Sequence, residues 1–172
     1  MQNKVVTTLS RALVRRGHTV VRFNFRGVGK SAGTFAKGQG EQDDLRAVIA
    51  WFKGNYSFDQ IWLIGFSFGA YVAASVANEA KADLCVSVAP AVDRYDFGSI
   101  QRGPYPWWVI QGDQDDVVDP SLVYDWYEIL EGAKQLIRIP EAGHYFHGQL
   151  IAMRDTFLRM LDESSPPNPK NS

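Results

Sequence analysis

A serine with a glycine two residues to either side, Gly65-Phe66-Ser67-Phe68-Gly69, stands between an apolar run and a run rich in alanine. A Gly-x-Ser-x-Gly segment that joins a strand to a helix forms a nucleophile elbow, which presents the hydroxyl for attack on a carbonyl carbon. The reversal is so sharp that the serine takes strained backbone angles, and side chains at both flanking glycine positions are expected to collide. With glycine at about 7% of residues, the bare pattern arises by chance in roughly one chain in ten to twenty of this length. Its neighbours must therefore carry the argument. A serine hydroxyl is a weak nucleophile at neutral pH. It needs a base within hydrogen-bond reach, and the base needs a carboxylate that fixes its tautomer and stabilises its charged form.

The histidines are His18, His144 and His147. His144 follows Gly143 just beyond the apolar run Gln135-Leu136-Ile137-Arg138-Ile139, which makes it the candidate base. His147 comes one helical turn later and is expected to pack or to face solvent. Asp113, Asp115, Asp116 and Asp119 share the loop that follows Trp107-Trp108-Val109-Ile110-Gln111. Spacing alone does not choose among these four. Serine, acid and histidine each lie just past a strand-like run, so all three can meet at one edge of a sheet.

The elements that must position them alternate. Val5 to Arg16 has helical periodicity, with Gly17 placed as a C-terminal cap. Thr19-Val20-Val21-Arg22-Phe23-Asn24-Phe25 reads as a strand, followed by a glycine-rich loop from Arg26 to Gly40. Gln42 to Lys53 reads as a helix with the apolar stripe Leu45, Val48, Ile49 and Phe52. Strands are then expected at 60–64, 83–88, 107–111 and 135–139, and helices at 70–77, 121–131 and 148–161. Ala91 to Pro106 shows no convincing helix, so no lid is expected over the site. Strands separated by helices imply an α/β fold, a mostly parallel sheet with helices on both faces. In such sheets the chemistry sits beyond the carboxyl ends of the strands.

At 172 residues and 45% hydrophobic content the chain fits one soluble domain, assigned to residues 1–163, with a polar, proline-rich tail at 164–172 expected to be disordered. A net charge of -1 gives no electrostatic case for nucleic acid or an anionic membrane. No stretch has the length of a membrane span, and the amino terminus lacks a signal peptide's apolar block, so the cytoplasm is the default location. Cys85, within an apolar run, reads as a buried structural thiol. No Cys/His spacing suggests a metal, and no cofactor is implied. Most of the five tryptophans read as core.

The order serine, acid, histidine is that of the α/β-hydrolase triad. Several segments also resemble small, lidless bacterial α/β-hydrolases related to dienelactone hydrolases and short carboxylesterases. They are Asn3-Lys4-Val5-Val6, the stretch from Arg22 to Ser31, Gly65 to Tyr71, and Gly143 to Gly148. Gly112 to Val118 looks like the family's Gly-x-x-Asp-x-Val-Val signature, which implies Asp115 as the acid, with Asp116 its main competitor. The resemblance implies a Ser67–Asp115–His144 triad with the Phe68 N–H as an oxyanion donor. It implies a small-molecule acyl substrate but identifies none, and it leaves the oligomeric state open. The family begins with three further strands and a His-Pro, glycine-rich loop ahead of a helix at which Met1 already stands. The expectation is a core truncated at the N-terminus, as from a misassigned start, lacking one oxyanion donor. Thr19–Phe25 must then close up on the elbow strand or leave an apolar edge.

Three functions follow as alternatives. They are a serine hydrolase of small esters, thioesters or amides, a hydrolase-like domain with impaired turnover, and a nucleotide-binding module. The last rests on Gly27-Val28-Gly29-Lys30-Ser31 alone. A P-loop would need glycine where Asn24 stands, and no helix opens after Ser31 to receive phosphate, so a plain glycine loop is the better reading.

Overall fold

The structure, a computed structural model, describes residues 3–164. Four strands form one parallel sheet in sequential order: β1 (Trp62–Phe66), β2 (Leu84–Val88), β3 (Trp107–Gly112) and β4 (Lys134–Ile139). Helices α2 (Gln39–Asn55), α3 (Phe68–Ala80) and α4 (Pro120–Ile129) pack against one face, and α1 (Lys4–Arg15) and α5 (Leu150–Ser164) against the other. Only the first residue of the assigned tail, Ser164, falls within the described part, where it ends α5; residues 165–172 lie outside it. This is the parallel α/β architecture that the periodicity implies.

Side-chain alternation along the strands divides the core in two. Cys85, Trp107 and Val109 pack with the alanines of α3 and with Val123 and Trp126. Val86, Val88, Trp108 and Ile110 pack instead with Leu9 and Leu13 of α1 and with Met153 and Phe157 of α5. Each fully buried large apolar side chain contributes about 1.5–3 kcal/mol. The small side chains of α3 (Ala70, Ala73, Ala74 and Ala77) let that helix lie close to the sheet directly behind Ser67. Burial pushes the Cys85 thiol pKa far up, as suits a structural thiol. Trp51 departs from the expected core role, being more than half exposed.

Most predicted elements form within a residue or three of their expected bounds, and Gly17 takes the left-handed conformation after α1. Thr19–Phe25 is the exception: it forms no strand. Its side chains still alternate. Val20 leans on the α1/α5 layer, Arg22 donates to Thr7 Oγ1 at 3.1 Å, and Phe23 and Phe25 join the opposite layer. What it lacks, among the described residues, is a ladder partner. It does not close up on β1, and a cavity of about 1180 Å³ separates the two, floored by α1 and roofed by α2 and α3. A strand is defined by hydrogen bonds to a neighbour, so the right pattern without one does not make a strand.

β1 is therefore an edge strand. The Ser67 N–H donates to the Val88 carbonyl at 2.8 Å, so by alternation the amides of Leu63 and Gly65 point toward β2 and those of Ile64 and Phe66 toward the cavity. Hydrogen exchange is expected to be markedly slower at Leu63 and Gly65 than at Ile64 and Phe66. Equal protection of all four amides would mean that the outer edge is paired.

Candidate active site

The elbow is built as its residue types require. β1 ends at Phe66, α3 starts at Phe68, and Ser67 between them holds φ 52° and ψ -115°, a strained conformation for a residue with a Cβ. The Ser67 side chain does not cap α3. Its Oγ lies instead 3.1 Å from His144 Nε2. A Cβ on Gly65 would stand 2.1 Å from the Gly69 carbonyl oxygen, so β1 and α3 meet only because that position is glycine. Gly69 differs from expectation. A Cβ there would meet nothing nearer than the Phe25 ring at 3.9 Å, so only one of the two glycines is sterically required.

The loops after β3 and β4 approach each other as closely. A Cβ on Gly112 would lie 2.2 Å from the Ala142 carbonyl oxygen. The Asp113 N–H donates to the Ile139 carbonyl and the Gln114 N–H to that of Ala142, which ties the acid-bearing loop to the histidine-bearing one. In this arrangement His144 Nδ1 lies 2.9 Å from Asp115 Oδ2. Asp115 Oδ1 accepts the N–H groups of Val117 and Val118, both at 2.9 Å. Burial works to raise the Asp115 pKa, but hydrogen bonds from His144, Val118, Val117 and Gln111 outweigh it and hold the carboxyl below the usual range. It is an ionised carboxylate with its acceptor positions filled.

The competing residues are elsewhere. Asp116 is exposed, and Asp113 pairs with Arg138 and Tyr124, the guanidinium holding its carboxyl low. Asp119 caps α4 through the Ser121 N–H. His147 is exposed beside the Tyr145 ring, and His18 packs on Trp62. Phe68 opens α3, so its N–H is among the first-turn donors that no helical carbonyl can take, and it adjoins Ser67. Two neighbours escaped the sequence reading. The half-exposed ring of Tyr145 sits edge-on to His144 with centroids 5.0 Å apart, and Gln111 is fully buried beside Asp115. Tyr145 could have been found from its place next to His144; nothing in the sequence marks Gln111.

Phe25, Phe35 and Tyr95 gather around Phe68, and Phe66 lies against His144. The cavity beside β1 reaches Ser67, Phe66 and Tyr145. The glycine loop after Phe25 closes on itself: the Gly27 N–H donates to the Ala32 carbonyl, and Ser31 Oγ donates to that of Asn24. No helix opens between Ser31 and α2, which starts at Gln39. Among the described residues no His, Cys, Asp or Glu cluster is arranged to hold a metal ion, and no helix is long and apolar enough to cross a membrane.

A parallel sheet wrapped by helices, with an elbow serine, a histidine and an aspartate at the carboxyl ends of its strands, has the architecture of an α/β-hydrolase. The chain belongs to the α/β serine hydrolases, and the family model that matches residues 1–107 is described as X-Pro dipeptidyl-peptidase (S15 family). It is similar to XC6422 from Xanthomonas campestris, an α/β serine hydrolase without a lid, at 48% identity and a TM-score of 0.91, over 98% of this chain and 77% of that one. An α/β serine hydrolase homologue from Coxiella burnetii matches at 46% identity and a TM-score of 0.89, over 94% and 77% of the respective chains. The uncharacterized protein RP471 of Rickettsia prowazekii (strain Madrid E) is 37% identical over 156 residues, in an alignment that covers 85% of this chain. The chain spans 66% of the length of that curated relative.

Proposed function

We propose that this chain is a serine hydrolase that cleaves a small ester, thioester or amide through an acyl-enzyme. One observation carries the reading: the continuous hydrogen-bonded line from Ser67 Oγ through His144 Nε2 and Nδ1 to Asp115 Oδ2. In the first half of the reaction Ser67 Oγ attacks the carbonyl carbon while His144 Nε2 takes the hydroxyl proton. The Phe68 N–H donates to the developing oxyanion. His144 returns the proton to the leaving group as the tetrahedral intermediate collapses, which leaves an ester on Ser67. Water then repeats the sequence in place of the serine hydroxyl and releases the acid. Asp115 keeps the His144 proton on Nδ1 and stabilises the imidazolium at each half-step.

The segment from Ala91 to Pro106 contributes a single short 3-10 turn, Phe97–Ser99, which supports an open site for small substrates or the ends of polymers. The aromatic surround of Phe66, Phe68 and Tyr145 suits an apolar acyl or alcohol group. The family description X-Pro dipeptidyl-peptidase keeps peptide amides within the range to be assayed.

A second reading, a hydrolase-like domain of impaired turnover, is favoured by the cavity along the unpaired edge of β1, which brings solvent to the side of Ser67. A fluorophosphonate probe tests both readings. The first expects stoichiometric labelling that disappears in Ser67→Ala. A folded chain that resists the probe points to the second. Labelling that survives Ser67→Ala would remove Ser67 from the mechanism.

A further inference from the structure

Gln111 is a polar residue in an apolar strand, fully buried at the end of β3. Its Nε2 donates to Asp115 Oδ2 at 3.0 Å and lies 3.2 Å from the Gly112 carbonyl. Its Oε1 is buried without a partner among the described residues. The amide orientation is forced, because reversing it would turn Oε1 toward the carboxylate. A buried amide with an unsatisfied oxygen is less favourable than a methionine of similar volume. What the amide supplies in return is a donor on the same carboxylate oxygen that holds His144.

We propose that Gln111 is a positioning residue of the hydrolytic site, acting through Asp115 on His144. Asp115 Oδ1 is fixed by two loop amides, and Oδ2 is shared by Gln111 and His144. Two N–H groups converging on one oxygen set the rotation of the carboxylate and the direction from which it receives His144. The Gln111 donor also draws off part of the negative charge that His144 would otherwise meet. This role rests on the reading of Ser67, His144 and Asp115 as a working triad.

Gln111→Met keeps the volume and removes the donor. Fluorophosphonate labelling of Ser67 at its optimum is expected to slow by about 10- to 10²-fold, the range for a misplaced catalytic group. The acidic limb of the labelling profile is expected to move to higher pH, because an Asp115 carboxylate relieved of one donor stabilises the imidazolium more strongly. The His144 Nδ1 proton resonance, read by NMR without any turnover, is expected to shift. Wild-type rate and an unmoved limb overturn the proposal. So does slower labelling with an unmoved limb and an unchanged resonance, which would mark Gln111 as structural only. If the methionine variant unfolds, Gln111→Asn keeps a buried amide but withdraws the donor by one methylene, and the same readouts apply. Unfolding of both variants overturns the proposal by making Gln111 a folding residue. A wild-type chain that the probe does not label counts against the triad reading instead, and the resonance still reports on Gln111.

Discussion

Asp115→Asn is expected to slow Ser67 acylation by about four orders of magnitude, while Asp116→Asn leaves it unchanged. The size follows from the donors around the carboxylate. In the wild type Oδ1 accepts from Val117 and Val118, and Oδ2 accepts from His144 and Gln111. An asparagine can keep one of these sides but not both. With its oxygen on the loop amides, its NH₂ faces Gln111 Nε2 and His144 Nδ1. His144 can then avoid a clash only by carrying its proton on Nε2, the nitrogen that faces Ser67, and in that tautomer it cannot accept the serine proton. With the amide turned round, two backbone N–H groups lose their acceptor and the loop is destabilised. Asp116, exposed and outside this set, has nothing comparable to lose. Probe-labelling rates of the two variants beside the wild type decide the matter. Equal losses, or a fast Asp115→Asn, would remove Asp115 from the mechanism.

Gly65→Ala is expected to lower stability by about 3 kcal/mol or more, whereas Gly69→Ala is tolerated or slightly stabilising. The new Cβ at position 65 would lie 2.1 Å from the Gly69 oxygen and 2.5 Å from the Ala70 Cα. Those atoms belong to the first turn of α3, so relief requires the whole helix start to withdraw from β1. That movement also displaces Ser67 from His144, and labelling should fall with stability. At position 69 the new methyl meets only the Phe25 ring at ordinary contact distance, and alanine favours the helix by about 1 kcal/mol over glycine. For a chain of this size 1 kcal/mol corresponds to about 2–4 °C in Tm, so thermal unfolding separates the two variants clearly. Similar Tm values would show that the elbow does not depend on the close approach at Gly65.

Much of this architecture is local in origin and therefore legible. The apolar runs and helical periods placed the five helices and all four strands that form, together with a fifth, Thr19–Phe25, that does not pair. Gly65, Ser67 and the alanines of α3 marked the elbow because a tight strand-to-helix turn restricts its own residue types. His144 and the aspartate loop were visible as chemistry-bearing residues just past strands. Choosing Asp115 over Asp116 needed the resemblance to a signature, since neighbours in one loop differ only in where the backbone turns them.

The sequence alone thus determined the elbow, the chain order of serine, aspartate and histidine, and the parallel α/β layering, all of which depend on short-range patterns. Tertiary structure decided what depends on partners. Thr19–Phe25 has the alternation of a strand but stays unpaired across a cavity from β1, because a ladder needs a neighbour that no local pattern supplies. Gly69 proved sterically free where Gly65 did not, because only three-dimensional packing says which glycine faces the opposing backbone. Gln111 became meaningful only when its amide was found on the carboxylate oxygen that also holds His144. Hydrogen bonds between distant segments are directional and non-local, and they turned a set of suitable residues into one site.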